Sequence, residues 1–306
     1  IRFCAESLES PTLPSGKKGI RNRRKRKMNT KFVKGLLACA LVAAPLTGCS
    51  SGSGDDAAED KTITIGASVT PHAEIINNIV PDLEELGYTV EVVEFSDYVK
   101  PNQALYEGEL DCNYFQHTPY LEDWVANNCE NEDDLVSAAK IHFEPLGIYS
   151  SKHTDVSDVP DGAQIAVPND TTNEARALQL LQAQGIITLA EGKGLEATKA
   201  DIVENPYNVE IVELAAEVVP TKLNEVDFAI ANGNNALNAD ITDYLLVTES
   251  TDSEAADQYA NVIAVRKGDE DSQKIQDLLS VLETQKTVDF IEENYNGVVV
   301  PVFEVK

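Results

Sequence analysis

Basic side chains are scarce once the first 48 positions are set aside. Those positions hold 11 of the 24 Lys and Arg but only 2 of the 52 Asp and Glu, leaving 13 basic against 50 acidic residues. Such a surface repels nucleic acid and anionic lipid, which speaks against a nucleic-acid role; its ordinary effect is solubility. Long apolar runs are absent too. Beyond residue 50 no stretch approaches the ~20 apolar residues of a spanning helix, so none is expected there. Catalytic signatures are missing: there is no nucleophile elbow, phosphate-cradling loop, CxxC or HExxH. Carboxylates are so numerous that no pair of them is informative, and an enzyme is not expected. Histidine is limited to His72, His117, His142 and His153. Zinc capture by His72, His117 and a carboxylate is conceivable, but no His-rich loop accompanies them, so neither metal nor cofactor is expected. No internal repeat occurs.

Methionine is rarer still: Met28 stands alone, after "RNRRKRK" and before an apolar run from Gly35 to Leu46. A basic segment, a short apolar run and small residues around a cysteine form an export signal. Residues 1–27 are read as upstream sequence or an extended basic region. "LTGC" at Leu46–Cys49 matches a bacterial lipoprotein cleavage site. Cleavage would leave Cys49 first, carrying acyl chains that hold the protein to a membrane; an ordinary signal peptide with an incidental cysteine is the alternative. Residues 49–60, rich in Gly, Ser and acid, read as a flexible tether. Two cysteines remain in the exported body, Cys112 and Cys129. Outside the cytoplasm such a pair tends to oxidise, so a Cys112–Cys129 disulfide is expected, with free thiols as the alternative.

The hydrophobic content of 42% supports a real core, and the length suits two domains. From Lys61 the chain alternates strand and helix. "TITIGAS" reads as a buried strand. A helix follows, with Thr70 as N-cap, Pro71 at its first position, Pro81 as a possible kink and Gly87 as its stop. "YTVEVVEF" and "DCNYFQ" are further strands, separated and followed by helices. This order implies an α/β fold with a parallel sheet, whose ligands bind beyond the carboxyl ends of the strands. Those ends fall at Ser68–Glu74, Phe95–Tyr98 and Phe115–Tyr120. A second unit opens near Ser151 with strand "AQIAVPND" and a helix stopped by Gly185. "EPLGIYSSK" and "YANVIAVRKG" look like an outgoing and a returning crossover, so two lobes enclose a cleft. Residues 61–152 and 258–306 are assigned to the first lobe and 153–257 to the second.

Three stretches could carry chemistry. "NYFQHTPYL" gathers aromatics, an amide and His117 at a strand-to-helix turn, walls that suit an apolar side chain such as a thioether; a core strand with a satisfied histidine is the alternative. "VPNDTTNEARAL" places Asn173 and Arg176 at a helix N-terminus, a carboxylate site or else a surface ion pair. "IANGNNAL" offers Asn232, Asn234 and Asn235, able to bind an ammonium or carboxylate or simply to form a turn.

These residues carry a resemblance. "GASVTPHAEI", "FSDYVKPNQAL", "LDCNYFQHTPYL", "VPND" with its following Asn and Arg, "VENPYNVEIVEL" and "AIANGNNA" make the body similar to the NlpA lipoprotein family of methionine-binding proteins that serve ABC importers. The resemblance implies a two-lobed periplasmic-binding-protein fold of type II, with two crossovers and methionine between the lobes. By position it implies Tyr98, Phe115, His117 and Tyr120 around the side chain and amino group. It also implies Arg176 on the carboxylate, Asn173 supporting that end, and Asn232 on the ammonium or carboxylate. The expected partners are methionine or a similar amino acid, an importer permease, and the membrane through the lipid on Cys49 only; a monomer is expected. Asn235 stands where an aromatic is expected, Thr171 replaces a usual proline, and Cys112 and the acidic segment at 129–134 are atypical. Another amino acid or a methionine-containing dipeptide, a secreted enzyme, or a surface interaction protein remain as alternatives.

Overall fold

The computed structural model describes residues 61–306; the leader, the tether and Cys49 lie outside the described residues. Strand β1 (Thr62–Ser68) leads through an irregular turn, Val69–Ala73, into helix α1 (Glu74–Glu85). Thr70 is extended (φ −128°, ψ 136°) and does not cap the helix; its hydroxyl donates instead to Glu74 Oε1 at 2.8 Å. Pro81 sits within α1 without ending it. Gly87 terminates the segment at φ 88°, a conformation that favours residues without a Cβ. Then come β2 (Thr89–Phe95), α2 (Lys100–Tyr106), β3 (Cys112–His117), α3 (Thr118–Asn128) and β4 (Leu135–Phe143).

Beyond β4 the chain enters a second sheet at once. Its elements are β5 (Gly147–Tyr149), β6 (Gln164–Pro168), α4 (Thr171–Ala183), the small pair β7 (Thr188–Leu189) and β8 (Ile202–Glu204), β9 (Glu210–Leu214), β10 (Phe228–Ala231), α5 (Gly233–Asn238), β11 (Leu245–Thr248) and α6 (Ser253–Gln258). The chain returns through β12 (Ala260–Arg266), α7 (Gln273–Leu282), α8 (Gln285–Tyr295) and β13 (Val300–Pro301).

The first sheet has the order β13-β4-β12-β3-β1-β2 and the second β11-β5-β10-β6-β9. The parallel expectation needs correction at the crossovers. β2, β1 and β3 run parallel, but the returning β12 is antiparallel to both β3 and β4. In the second sheet β9, β6 and β10 are parallel, and only β5 is reversed, being antiparallel to both of its neighbours β10 and β11. The division proposed from sequence also shifts. Gly147–Tyr149, assigned above to the first lobe, pairs with β10 and β11 of the second sheet, so the outgoing connection is the short segment 144–146.

Alternation along β12 shows how the core is layered. Ile263 and Val265 join α1, α7 and α8 on one face of the first sheet, whereas Val262 and Ala264 join α2 and α3 on the other. This layering overturns the disulfide. Cys112 lies in the first cluster and Cys129 packs against the second, so the sheet stands between them, and both thiols are free. Burial pushes the Cys112 thiol pKa far up, which makes it inert. Among the described residues no helix is long and apolar enough to cross a membrane.

Candidate functional site

The carboxyl ends of β2, β3 and β6 and the start of α5 converge on a small cavity between the sheets. From the first lobe Tyr98, Phe115, His117 and Tyr120 line it; from the second, Asn173, Arg176, Asn232 and Asn234. All seven residues named as ligand-binding candidates therefore share one space. Gln116, Asn261 and Glu144 complete the lining. The Tyr98, Phe115 and Tyr120 rings stand with centroids 5.9 Å apart in every pairing, a three-sided aromatic cage. It is pinned by Tyr120 Oη donating to the Tyr98 carbonyl at 2.9 Å. Beneath it Asn102 and Gln116 exchange buried amide hydrogen bonds of 2.6 and 2.7 Å, which fix β3 against α2.

His117 caps α3: its Nδ1 accepts the Tyr120 N–H at 3.1 Å, so its Nε2 carries the hydrogen and donates to Asn173 Oδ1 across the cleft at 3.1 Å. Burial, helped by the Arg176 charge, lowers its pKa to about 3 and keeps the ring neutral. The other lip is built similarly. Asp170 caps α4 by accepting the Asn173 backbone N–H (3.0 Å) and side-chain N–H (2.8 Å), turning Asn173 Oδ1 into the cavity region. There it also accepts from Asn232 Nδ2 at 2.8 Å. Thr171, the departure from proline, is an exposed first helical residue, a position where the backbone N–H has no intrahelical partner anyway.

Arg176 is buried, and its ion pair is not along its own helix. It pairs with Glu249, through Nε at 3.2 Å and a close Nη2 contact, and its guanidinium lies 4.1 Å over the Tyr259 ring. Neither Glu249 nor Tyr259 had a signal in the sequence, because both come from the returning connection.

Glu144 and Asn261 are the cavity residues that sequence reasoning missed; Glu144 sits at the centre of a buried cluster. The buried Glu144 carboxylate accepts from the Asn234 backbone N–H at 2.5 Å and from His142 Nε2 at 2.8 Å; Tyr114 Oη meets the other nitrogen of His142. His72 Nε2 lies 3.5 Å from the same carboxylate and 3.0 Å from Asn261 Oδ1. Burial lowers the pKa of His72 to about 4 and of His142 to about 3, and raises that of Glu144. These three residues offer ligand atoms within 4.8 Å of one another, the one such metal-capable set found among the described residues. The pairing conceived from sequence, His72 with His117, does not form: His117 turns to Asn173. The His142 imidazole donates to Glu144 and that of His72 to Asn261 Oδ1, while His72 Nδ1 is buried with no hydrogen-bond partner. Asn232 Oδ1 is a buried acceptor with no hydrogen-bond partner. Asn235 stays outside the lining and donates to Tyr98 Oη at 2.9 Å; the second lobe's wall is polar through Asn173, Arg176, Asn232 and Asn234.

Two lobes closing on a small cavity at the carboxyl ends of their strands define the class of periplasmic-type substrate-binding proteins. Within that class the chain belongs to the NlpA lipoprotein family, whose model matches residues 63–303. The methionine-binding lipoprotein MetQ of Bacillus subtilis is 40% identical over 265 residues, 86% of this chain and 95% of that protein. A nutrient-binding protein from Burkholderia cenocepacia, solved bound to methionine, is 40% identical with a TM-score of 0.74, over 79% of this chain and 100% of that one. An ABC transporter periplasmic substrate-binding protein from Coxiella burnetii is 34% identical with a TM-score of 0.72, over 78% and 100%.

Proposed function

We propose that this chain is a lipid-anchored receptor that encloses methionine between its lobes and delivers it to an ABC importer. The observation that carries the reading is a buried guanidinium and a buried carboxylate on one small cavity, with an aromatic cage beside them. That is the complement of a zwitterion with an apolar tail. Arg176 with Asn173 takes the α-carboxylate. Glu144 and the unpaired Asn232 Oδ1 take the α-ammonium. Tyr98, Phe115 and Tyr120 sheath the thioether, and His117 holds the two lobes together at Asn173. Burying the side chain contributes roughly 1.5–3 kcal/mol, with sulfur–aromatic contacts adding about 0.3–1.5 kcal/mol. Micromolar capture needs about 8 kcal/mol, so the charged ends supply most of the affinity.

The anchor is Cys49, by the Leu46–Cys49 motif and the tether after it. The methionine-binding and transporter relatives support the substrate and the destination. Native mass spectrometry of the purified chain should show a co-purified mass equal to methionine. Calorimetry across free amino acids should show one-to-one binding strongest for methionine. Tighter binding of a charged or branched amino acid, or turnover of the ligand, would sink the reading.

A further inference from the structure

The candidate arginine is not free to choose its orientation. Of its five N–H groups, Nε–H and one on Nη2 go to the Glu249 carboxylate, and Nη2 also donates to the Glu144 carbonyl at 3.3 Å. Nη1 makes only a long contact of 3.5 Å with Asn173 Oδ1, so it is the nitrogen left for a ligand. Glu249 lies behind Arg176, outside the cavity lining, and faces a second groove with Gln179, Leu180 and Tyr259.

Glu249 is itself held by the opposite hinge strand. Its backbone N–H donates to the Leu146 carbonyl at 2.9 Å, and its Oε1 accepts the Leu146 N–H at 2.9 Å. Leu146 belongs to the outgoing connection and Glu249 to the returning one, so one guanidinium–carboxylate pair ties both interlobe connections together.

We infer that Glu249 is a positioning residue: it locks Arg176 to the paired hinge strands so that Nη1 alone meets the ligand's carboxylate, end-on. A side-on grip through Nε and Nη2 is excluded while Glu249 occupies that fork, and the second Nη2 hydrogen goes to the Glu144 carbonyl, which leaves Nη1 for the ligand. Carboxylate recognition and hinge geometry thereby become one device. This inference rests on the methionine reading given above.

The test compares methionine with methioninamide, whose carboxylate is replaced by a neutral amide, by calorimetry on the full chain and on Glu249→Gln and Glu249→Ala. Glutamine keeps the size but sets an N–H against donors. Methionine affinity should fall at least about tenfold in both variants, whereas methioninamide affinity should move less than about threefold, collapsing their ratio. An equal loss for both ligands would mark a merely structural residue and overturn the inference. Tighter methionine binding by Glu249→Gln would also overturn it, since Glu249 would then only damp the charge of Arg176. On the unaltered chain, the Arg176 Nε–H should resist solvent exchange in NMR spectra equally with and without methionine. Protection that appears only with methionine would overturn the inference even if the variants fail to fold. Wild-type protein that ignores methionine takes down the functional reading as well; wild-type binding with an unchanged ratio in the variants removes this inference alone.

Discussion

Three buried side chains, Arg176, Glu144 and His117, carry the proposed grip on the ligand, and for each of them burial changes what it can do. Arg176 and Glu144 are among the most enclosed charged groups described, at 3% and 6% exposure. A buried charge without a partner is strongly destabilising. Arg176→Ala would strip the partner from both Glu249 and the ligand carboxylate, so methionine affinity should fall by at least about 3 kcal/mol. Glu144→Gln should cost methionine about 1.5–3 kcal/mol, the range for a hydrogen bond to a charged group. A methionine analogue lacking the amino group should bind the Glu144→Gln variant as well as it binds the wild type. Calorimetry on the two variants checks both numbers, and near-wild-type affinity in either removes that residue from the site.

At the scale of elements, the same local device appears on both lips of the cleft. A strand ends, one residue caps the following helix, and residues at the start of that helix face the cavity: His117 for α3, Asp170 for α4. Helix N-termini present unpaired N–H groups and partial positive charge. The cap and the recognition residue are coupled, since Asp170 holds Asn173 through two hydrogen bonds while burial raises its own pKa. Asp170→Ala should therefore lower stability by about 1 kcal/mol and weaken methionine binding together. Urea midpoints and calorimetry on one preparation test the pair; an intact midpoint with lost binding would mean that Asp170 does not cap α4.

For the whole molecule, the buried histidines set a pH dependence. Folded-state pKa values of about 4 for His72 and about 3 for His117 and His142 lie below the unfolded value near 6.5. The unfolded chain thus takes up these protons first as pH falls. The contribution is complete above pH 6.5 and is lost progressively down to about 4 for His72 and about 3 for the other two. The slope is up to about 1.4 kcal/mol per pH unit per histidine. Glu144, Asp170 and Glu174, whose pKa values are raised by burial, act in the opposite direction and reduce that slope. The urea midpoint should be lower at about pH 5 than at about pH 7; an equal or higher midpoint at the acid end would show that the imidazoles are not held neutral.

Pattern along the chain was enough for whatever depends on near neighbours. The strand-to-helix alternation, the stops at Gly87 and Gly185 with φ 88° and 71°, and the gathering of aromatics after β3 all follow from side chains a few residues apart. Partners distant in sequence needed the tertiary structure. Nothing near Arg176 announces Glu249, 73 positions later, or sets Asn234, 90 positions on, against Glu144. The cysteines illustrate the same limit. Sequence shows two thiols in one exported body, but only the sheet that separates their faces decides that they cannot meet. Local preference is written in backbone sterics and short-range hydrogen bonds; which buried charge meets which, and across which wall, is settled when the chain leaves one sheet, builds another and returns.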